Sequence, residues 1–211
     1  MKRYLGIITC LMLAFASSMS ARIIYVNGSS SNTVENGESW STAYKKLEVA
    51  IDTADAGDEL WVAKGSYLHQ TADFYEPFII EKDLHLYGGF AGTENSIITR
   101  DLEQNPSWIV AIPQHTMNST FGFHFGNNVN VHIDGFAFKE IYCPFQVKSW
   151  GNGENISLDI RNCKFFKCYA MSRFYQASGI NVKFSSCEIE ESWDSMNIEN
   201  SDEKPSSLEI I

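Results

Sequence analysis

Two carboxylates, Asp159 and Glu209, lie at equivalent positions in two similar short segments, Leu158-Asp-Ile160 and Leu208-Glu-Ile210. A pair of carboxylates that faces one substrate supplies the general acid and the general base of most glycoside hydrolases. Two strand spacings would separate these carboxylates by about 10 Å, slightly more than one attacking water requires. Lys183 occupies the position between them, so an exposed ladder of alternating charges is the competing interpretation.

Histidines and cysteines recur at equivalent positions too. The repeat places His85 and His132 two strands apart, which is too far for one zinc ion with bonds near 2 Å. The sequence therefore predicts no metal and no other cofactor, with calcium expected only if the chain is a polysaccharide lyase. Cys163 and Cys187 stack on adjacent strands about 5 Å apart, which permits a disulfide. Side chains on parallel strands point the same way, so a stack of two buried thiols is favoured.

Aromatic residues are frequent late in the chain, and exposed aromatic faces bind sugars. The candidates for a carbohydrate platform are Trp150, Tyr169, Tyr175 and Trp193. Inward packing is the alternative, and it is expected for Phe136, Phe138 and Phe165.

A repeated pattern must position all of these side chains. Two apolar residues flank one polar residue, a polar or glycine turn follows, and then a second apolar pair, as in Val131-His-Ile133-Asp-Gly-Phe136. The first positions of the seven copies are Leu60, Leu84, Ile109, Val131, Leu158, Val182 and Leu208. They are separated by 22 to 27 residues. Short period-2 alternation predicts half-buried strands, and the constant period predicts that they stack.

The fold predicted for residues 58–211 is therefore an all-β solenoid, a parallel β-helix of about seven short coils. Its outward column is predicted to contain His85, Val110, His132, Asp159, Lys183 and Glu209. Residues 22–57 differ, because a strand at Ile23–Val26 is followed by apolar residues at helical spacing from Trp40 to Ala54. These predict an amphipathic helix of about four turns, capped by Ser39 or Ser41 and stopped by Gly57, that covers the first coil.

Residues 1–21 have the pattern of a signal peptide. Lys2 and Arg3 precede an apolar run from Leu5 to Ala16, and small residues lead to Ala21. The run is too short to span a bilayer of about 30 Å as a helix. We expect an exported protein with no membrane span after cleavage, located outside a bacterium or on its outer-membrane surface.

The acidic balance of the chain limits its partners. The formal charge is −10, and removal of Lys2 and Arg3 makes it −12. Such a chain repels nucleic acid at long range, so nucleic acid is not an expected partner. Uronic-acid polymers are disfavoured for the same reason, unless calcium or a local basic patch intervenes.

Several motifs resemble a known family. Four segments are similar to the N-terminal module of bacterial secreted pectin-lyase-like β-helix proteins. They are Trp40-Ser-Thr-Ala43-Tyr-Lys-Lys-Leu47, Ala56-Gly-Asp58-Glu-Leu-Trp-Val-Ala63, Tyr87-Gly-Gly-Phe-Ala-Gly-Thr-Glu94 and Ile133-Asp-Gly-Phe136. Some members of this family resemble polymorphic outer-membrane adhesins. The resemblance covers roughly residues 23 to 140 and implies a right-handed parallel β-helix. It implies no catalytic residue, because the matched positions are structural.

The leading hypothesis is an exported, non-enzymatic surface or extracellular binding protein, adhesin-like or carbohydrate-binding, whose partner is a polysaccharide or a cell-surface glycan. The alternative is a polysaccharide lyase or glycoside hydrolase of the same fold, which rests on fold analogy, or a truncated remnant of one. The last strand, Leu208-Glu-Ile-Ile211, leaves an open sheet edge. We therefore expect either a truncated solenoid or a capping partner or dimer at the C-terminal coil.

Overall fold

A computed structural model describes residues 21–68, 76–110, 121–147, 154–192, 197–200 and 206–211. The chain is mostly β-strand with few helices, and every strand pairing among these residues is parallel. The strands are β1 (Ile23–Val26), β2 (Glu59–Ala63), β3 (Gly65–Tyr67), β4 (Phe78–Ile80), β5 (Leu84–Phe90), β6 (Ser107–Val110), β7 (Phe121–Phe125), β8 (Val129–Asp134), β9 (Phe136–Lys139), β10 (Cys143–Val147), β11 (Glu154–Arg161), β12 (Lys164–Phe166), β13 (Ser172–Ser185), β14 (Glu188–Glu190), β15 (Asn197–Asn200) and β16 (Ser207–Ile210).

The strands form three faces. The first face has the order β1-β2-β5-β8-β11-β13-β16, and the second has the order β3-β6-β9-β12-β14. The third face contains β4, β7, β10, the beginning of β13 and β15. The long strand β13 belongs to both the third and the first face, because Ser172 pairs with β10 and Val182 pairs with β11.

The register of the first face confirms the predicted stacking of four of the seven copies. Leu158 pairs with Val131 on one side and with Val182 on the other, and Val182 pairs with Leu208. The two-residue period of a strand puts these apolar side chains on the same side of the sheet. All but Leu208 are buried.

Two of the weaker copies are placed differently from the prediction. Ile109 and Val110 belong to β6 on the second face, so β5 pairs directly with β8 through Leu84 and Val131. The predicted stack with Ile109 between them is wrong. Leu60 pairs with Leu86, which is two residues beyond the predicted partner Leu84.

One hydrophobic core lies between the three faces, and phenylalanines dominate it. Phe138 and Phe165 of the second face stack with their ring centroids 5.2 Å apart. Phe145 of the third face lies 5.1 Å from Phe138 and 6.1 Å from Phe184 of the first face. The inward positions predicted for Phe136, Phe138 and Phe165 are confirmed, since each is at most 1% exposed.

The N-terminal helix is shorter than the predicted four turns. A 3-10 helix spans Trp40–Thr42, the chain is extended at Tyr44, and the α-helix α1 covers only Leu47–Thr53. Tyr44 pairs with Val26 by a parallel bridge, and its backbone N–H donates to the carbonyl oxygen of Tyr25. This N–H is therefore not available for a helical hydrogen bond. The predicted serine caps are also wrong, since Lys46 precedes α1 and Ser39 makes no capping bond. Leu47, Ala50 and Ile51 still bury one face of α1.

At the opposite end, β16 exposes apolar side chains. Leu208 is 41% exposed and Ile210 is 67% exposed. The predicted capping partner or dimer would cover this surface. Within the described residues, no helix is long and apolar enough to cross a membrane.

Candidate functional site: two outward faces

The outward column of the first face runs in the order Glu59, His85, His132, Asp159, Lys183 and Glu209. Val110 is absent from it, so the prediction that His85 and His132 lie two strands apart is wrong. They pair directly on β5 and β8, and their ring centroids are 5.9 Å apart. Lys183 does lie between Asp159 and Glu209, as predicted.

This column borders an open hollow of about 340 Å³, which we call the polar hollow. It is lined by His85, Tyr87, Asn130, His132, Asp159 and Arg161. The volume falls within the usual range of small-molecule sites. Most of its lining groups carry charge or a hydrogen-bonding ring nitrogen, and many of them bind one another.

Asp159 is held by two neighbours inside the polar hollow. It accepts hydrogen bonds from Arg161 Nε at 3.0 Å and Arg161 Nη2 at 2.6 Å, and it lies 3.3 Å from Nδ1 of His132. Burial acts to raise the pKa of Asp159, but the Arg161 hydrogen bonds and the nearby positive charge outweigh it and lower the pKa. Asp159 therefore stays ionised, which does not suit a general acid. Glu209 lies 3.3 Å from Lys183 Nζ, and Lys183 lies between Asp159 and Glu209 in the outward column. The two carboxylates of the predicted catalytic pair are thus arranged as a charge ladder.

Asp134 forms a second, deeper set of contacts beside the hollow. It accepts a 3.0 Å hydrogen bond from Asn162 Nδ2 and lies 3.3 Å from Arg100 Nη2 and 3.8 Å from His132 Nε2. Burial acts to raise the pKa of Asp134, but hydrogen bonds from His132 and Asn162 and the charge of Arg100 lower it overall. Both ring nitrogens of His132 therefore face carboxylates.

Glycines allow Arg100 to reach this position. Its Nη1 donates a 3.0 Å hydrogen bond to the Gly88 carbonyl oxygen, and its guanidinium carbon lies 5.5 Å from the ring centroid of Tyr87. Gly135 has φ of 78°, and a Cβ there would lie 3.1 Å from Arg100 Nη1 and 2.7 Å from Leu102. A side chain at residue 135 would thus be strained and crowded.

A metal ion would need a further free ligand here. Within the described part of the chain, no group of three or more His, Cys, Asp or Glu side chains is arranged to hold one. His132 already contacts Asp134 and Asp159, and Asp159 is bound by Arg161. The donor set therefore gives no support for calcium or zinc at the polar hollow.

The second face carries a different hollow, of about 460 Å³, which we call the aromatic hollow. It is lined by Ser66, Trp108, Val110, Lys139 and Phe166. Trp108 and Phe166 are both partly exposed. The short side chain of Ala137 pairs beside Trp108, and Lys139 separates Val110 from Phe166. Small and flexible neighbours thus leave two aromatic side chains accessible from outside.

The lysines around the aromatic hollow differ in their partners. Lys164 lies 2.7 Å from Glu103 and 3.2 Å from Glu188, and Lys167 lies 3.5 Å from Glu191. Lys139 has no carboxylate partner among the described residues, and its Nζ lies 5.9 Å from the ring centroid of Phe166. It is therefore a cation that remains available at the rim of the hollow.

The predicted carbohydrate platform is located only in part. Tyr169 is partly exposed on the third-face side and stacks on Tyr142 with ring centroids 5.0 Å apart. The Arg173 guanidinium carbon lies 5.1 Å from the Tyr169 centroid. Tyr175 lies within β13, whose description does not include this side chain, and Trp150 and Trp193 lie outside the described residues.

Sequence reasoning missed Trp108 and Phe166. The signal was present in both strands, because alternation around the inward Ile109 makes Trp108 an outward residue. Adjacent Phe165 and Phe166 must likewise face opposite sides of β12. Only the strand pairing among the described residues shows that both side chains lie on one face.

Cys163 and Cys187 are free thiols at equivalent turns that follow β11 and β13. Burial raises the pKa of Cys163, while a hydrogen bond with Cys163 lowers the pKa of Cys187. A stack of two thiols stays the favoured prediction. Only Cys163 is fully buried, and Cys187 is partly exposed.

Comparisons with protein-family models, curated proteins and solved structures returned no match. The two hollows and the sequence are therefore the features from which a function can be inferred.

Proposed function

We propose that this chain is an exported, non-enzymatic binding protein that holds a glycan at the aromatic hollow. The scaffold in this proposal is a right-handed parallel β-helix. The order in which the chain visits the faces supports it, because β8, β9 and β10 lie on the first, second and third faces, and β11, β12 and β13 repeat that order. The resemblance to pectin-lyase-like proteins supports the same scaffold.

The observation that carries the proposal is the partial exposure of Trp108 and Phe166 around a hollow of about 460 Å³. An apolar patch that is open to solvent and rimmed by polar residues is typical of a ligand-binding groove. The polarised C–H groups of a sugar ring lie well against the negative face of an indole or phenyl ring. Ser66 and Lys139 supply hydrogen-bonding groups at the rim, which a sugar hydroxyl requires when it leaves water.

The proposed location is outside the cell or on the outer-membrane surface of a bacterium. Its support is the charged, apolar and small-residue pattern of residues 1–21. A protein in that location meets polysaccharides and host or bacterial cell-surface glycans, which are the partners that we propose.

The test is a glycan-binding screen with the full mature chain, followed by calorimetry on the best binder. Trp108→Ala should lower affinity at least about tenfold, since stacking on an aromatic face is lost. Tyr169→Ala truncates an aromatic side chain on another face, and it should leave affinity unchanged. Circular dichroism melts check that both variants are folded. Loss of binding in Tyr169→Ala but not in Trp108→Ala would place the site elsewhere.

A second candidate function, a polysaccharide lyase or glycoside hydrolase, is favoured by one feature of the polar hollow. A carboxylate next to an imidazole orients a general base, and His132 has Asp159 at 3.3 Å. Incubation with polysaccharides, with new reducing and unsaturated ends measured, tests this activity. An enzymatic function requires that the parent protein forms product and that His132→Gln forms none. Binding without any product supports the non-enzymatic proposal.

A further inference from the structure

We propose that the aromatic hollow selects carboxylated sugars, and that Lys139 is the residue that recognises the carboxylate. This inference rests on the proposed glycan-binding function and adds the chemical class of the ligand. Carboxylated pyranose rings occur in uronate polysaccharides and in sialylated glycans, and the test below separates these two sources.

The lining of the hollow favours an anionic ligand. Its five lining residues include one ammonium group and no carboxylate, whereas Glu188 and Glu190 line the adjoining hollow, on the far side of β12 from Lys139. An indole N–H is a donor only, and Trp40 and Trp61 donate theirs to Glu94 and Glu59, whereas the Trp108 N–H has no acceptor among the described residues. A ligand that offers oxygen acceptors and a negative charge therefore matches these groups better than a ligand that offers cations.

Lys139 differs from its neighbours in having its charge available. Lys164 and Lys167 are already paired with glutamates, so a ligand carboxylate would have to displace a protein carboxylate from them. At Lys139 no such displacement is needed. The Phe166 ring, 5.9 Å from Nζ, attracts the Lys139 ammonium group, as it also attracts the Lys167 ammonium at 4.9 Å.

The geometry also combines the two kinds of contact that a carboxylated sugar needs. Trp108 of β6 and Lys139 of β9 lie on neighbouring strands, with Val110 directly beside Lys139. Trp108 itself pairs with Ala137, so Lys139 is its diagonal neighbour, and such neighbours lie about 7–8 Å apart, within reach of long side chains. A sugar ring stacked on Trp108 would therefore place a substituent within reach of the Lys139 ammonium.

The net negative charge of the protein does not prevent this recognition. Charges more than about 8 Å apart in water are largely screened at physiological ionic strength, so the nearest charge decides the sign of the interaction. The overall charge of −10 acts mainly at longer range. Added salt should consequently weaken binding if Lys139 makes the contact, whereas it should strengthen binding if long-range repulsion dominates.

The experiment measures calorimetric affinities of the full mature chain for oligouronates, for sialylated oligosaccharides and for the methyl esters of both. Esterification removes the charge and keeps the sugar ring. We expect one acid series to bind about tenfold more tightly than its esters, which is about 1.4 kcal/mol. Lys139→Gln should remove this preference and leave ester binding intact. Lys183→Gln changes the net charge equally on another face, and it should keep the preference.

The outcomes distinguish a failure of the carboxylate inference from a failure of glycan binding at the aromatic hollow. If esters and neutral glycans bind as tightly as acids, and Trp108→Ala abolishes binding, the carboxylate inference is overturned and glycan binding stands. If an acid preference persists in Lys139→Gln, the role of Lys139 is overturned. If no sugar of any charge binds, glycan binding at the aromatic hollow fails as well.

Discussion

The polar hollow and the aromatic hollow lie on different faces of one scaffold, and they differ in how their charged groups are satisfied. In the polar hollow Asp159 binds Arg161, and beside it Asp134 contacts Arg100 and Asn162. In the aromatic hollow, Lys139 has no carboxylate partner among the described residues. Charged groups that bind one another stabilise the fold, whereas a cation without a carboxylate partner, beside partly exposed aromatic rings, is available to bind a ligand.

The largest effect that this comparison predicts is a loss of stability in Asp134→Ala. The change leaves Arg100, whose side chain is only 10% exposed, without its carboxylate partner. Breaking a largely buried ion pair in this way costs about 3 kcal/mol of unfolding free energy. Urea denaturation followed by circular dichroism measures it. A loss below about 0.5 kcal/mol would mean that the network around Asp134 contributes little.

The contribution of Asp134 should also depend on pH. Its folded-state pKa is lowered from 3.8, so the stabilisation is complete above that ordinary value. It disappears as the pH falls through the lower pKa of the folded state. The difference in unfolding free energy between the parent protein and Asp134→Asn should therefore be constant near neutral pH and shrink in acid. A difference that grows in acid would contradict the lowered pKa.

Asp159→Ala should have a smaller effect, of about 1 kcal/mol. The Asp159 side chain is 30% exposed and its partner Arg161 is 48% exposed, so water compensates part of the lost interaction. Thermal and urea unfolding both measure this loss. A cost equal to that of Asp134→Ala would show that exposure does not distinguish the two carboxylates.

The smallest effect is expected in the aromatic hollow itself. Lys139→Ala removes an exposed side chain with no carboxylate partner among the described residues, so stability should change by less than about 0.5 kcal/mol. The same unfolding experiments provide the value. Destabilisation by more than about 1 kcal/mol would indicate a structural role for Lys139, and it would weaken the contrast between the hollows.

The strands of the first face could be predicted from sequence where the repeat is strong. Val131, Leu158 and Val182 carry the full pattern, and they stack as predicted. Ile109 could not be assigned correctly, because strands on all three faces are short and share the same alternation of apolar and polar residues. An interval of 22 to 27 residues does not reveal to which face a strand belongs.

This ambiguity explains the errors in the candidate sites. Placing Ile109 between Leu84 and Val131 separated His85 from His132, which are direct neighbours. The same placement of Ile109 hid Trp108 as a binding candidate, because it did not show that β6 belongs to the second face. The N-terminal helix was overestimated for another reason, because apolar spacing cannot show that Tyr44 pairs with a strand. The spacing of apolar residues predicts local structure, but it does not identify contacts between residues that are distant in sequence.

The most direct test of ligand binding at the aromatic hollow is a two-dimensional NMR titration of the indole N–H resonances. The chain has five tryptophans, and the Trp108 resonance is assigned by its absence in Trp108→Phe. Addition of a carboxylated oligosaccharide should shift the Trp108 resonance and leave that of the buried Trp61 in place. If the imidazole C–H resonances of His85 and His132, recorded in the same titration, shift while Trp108 stays unmoved, binding at the aromatic hollow is contradicted and the polar hollow is favoured.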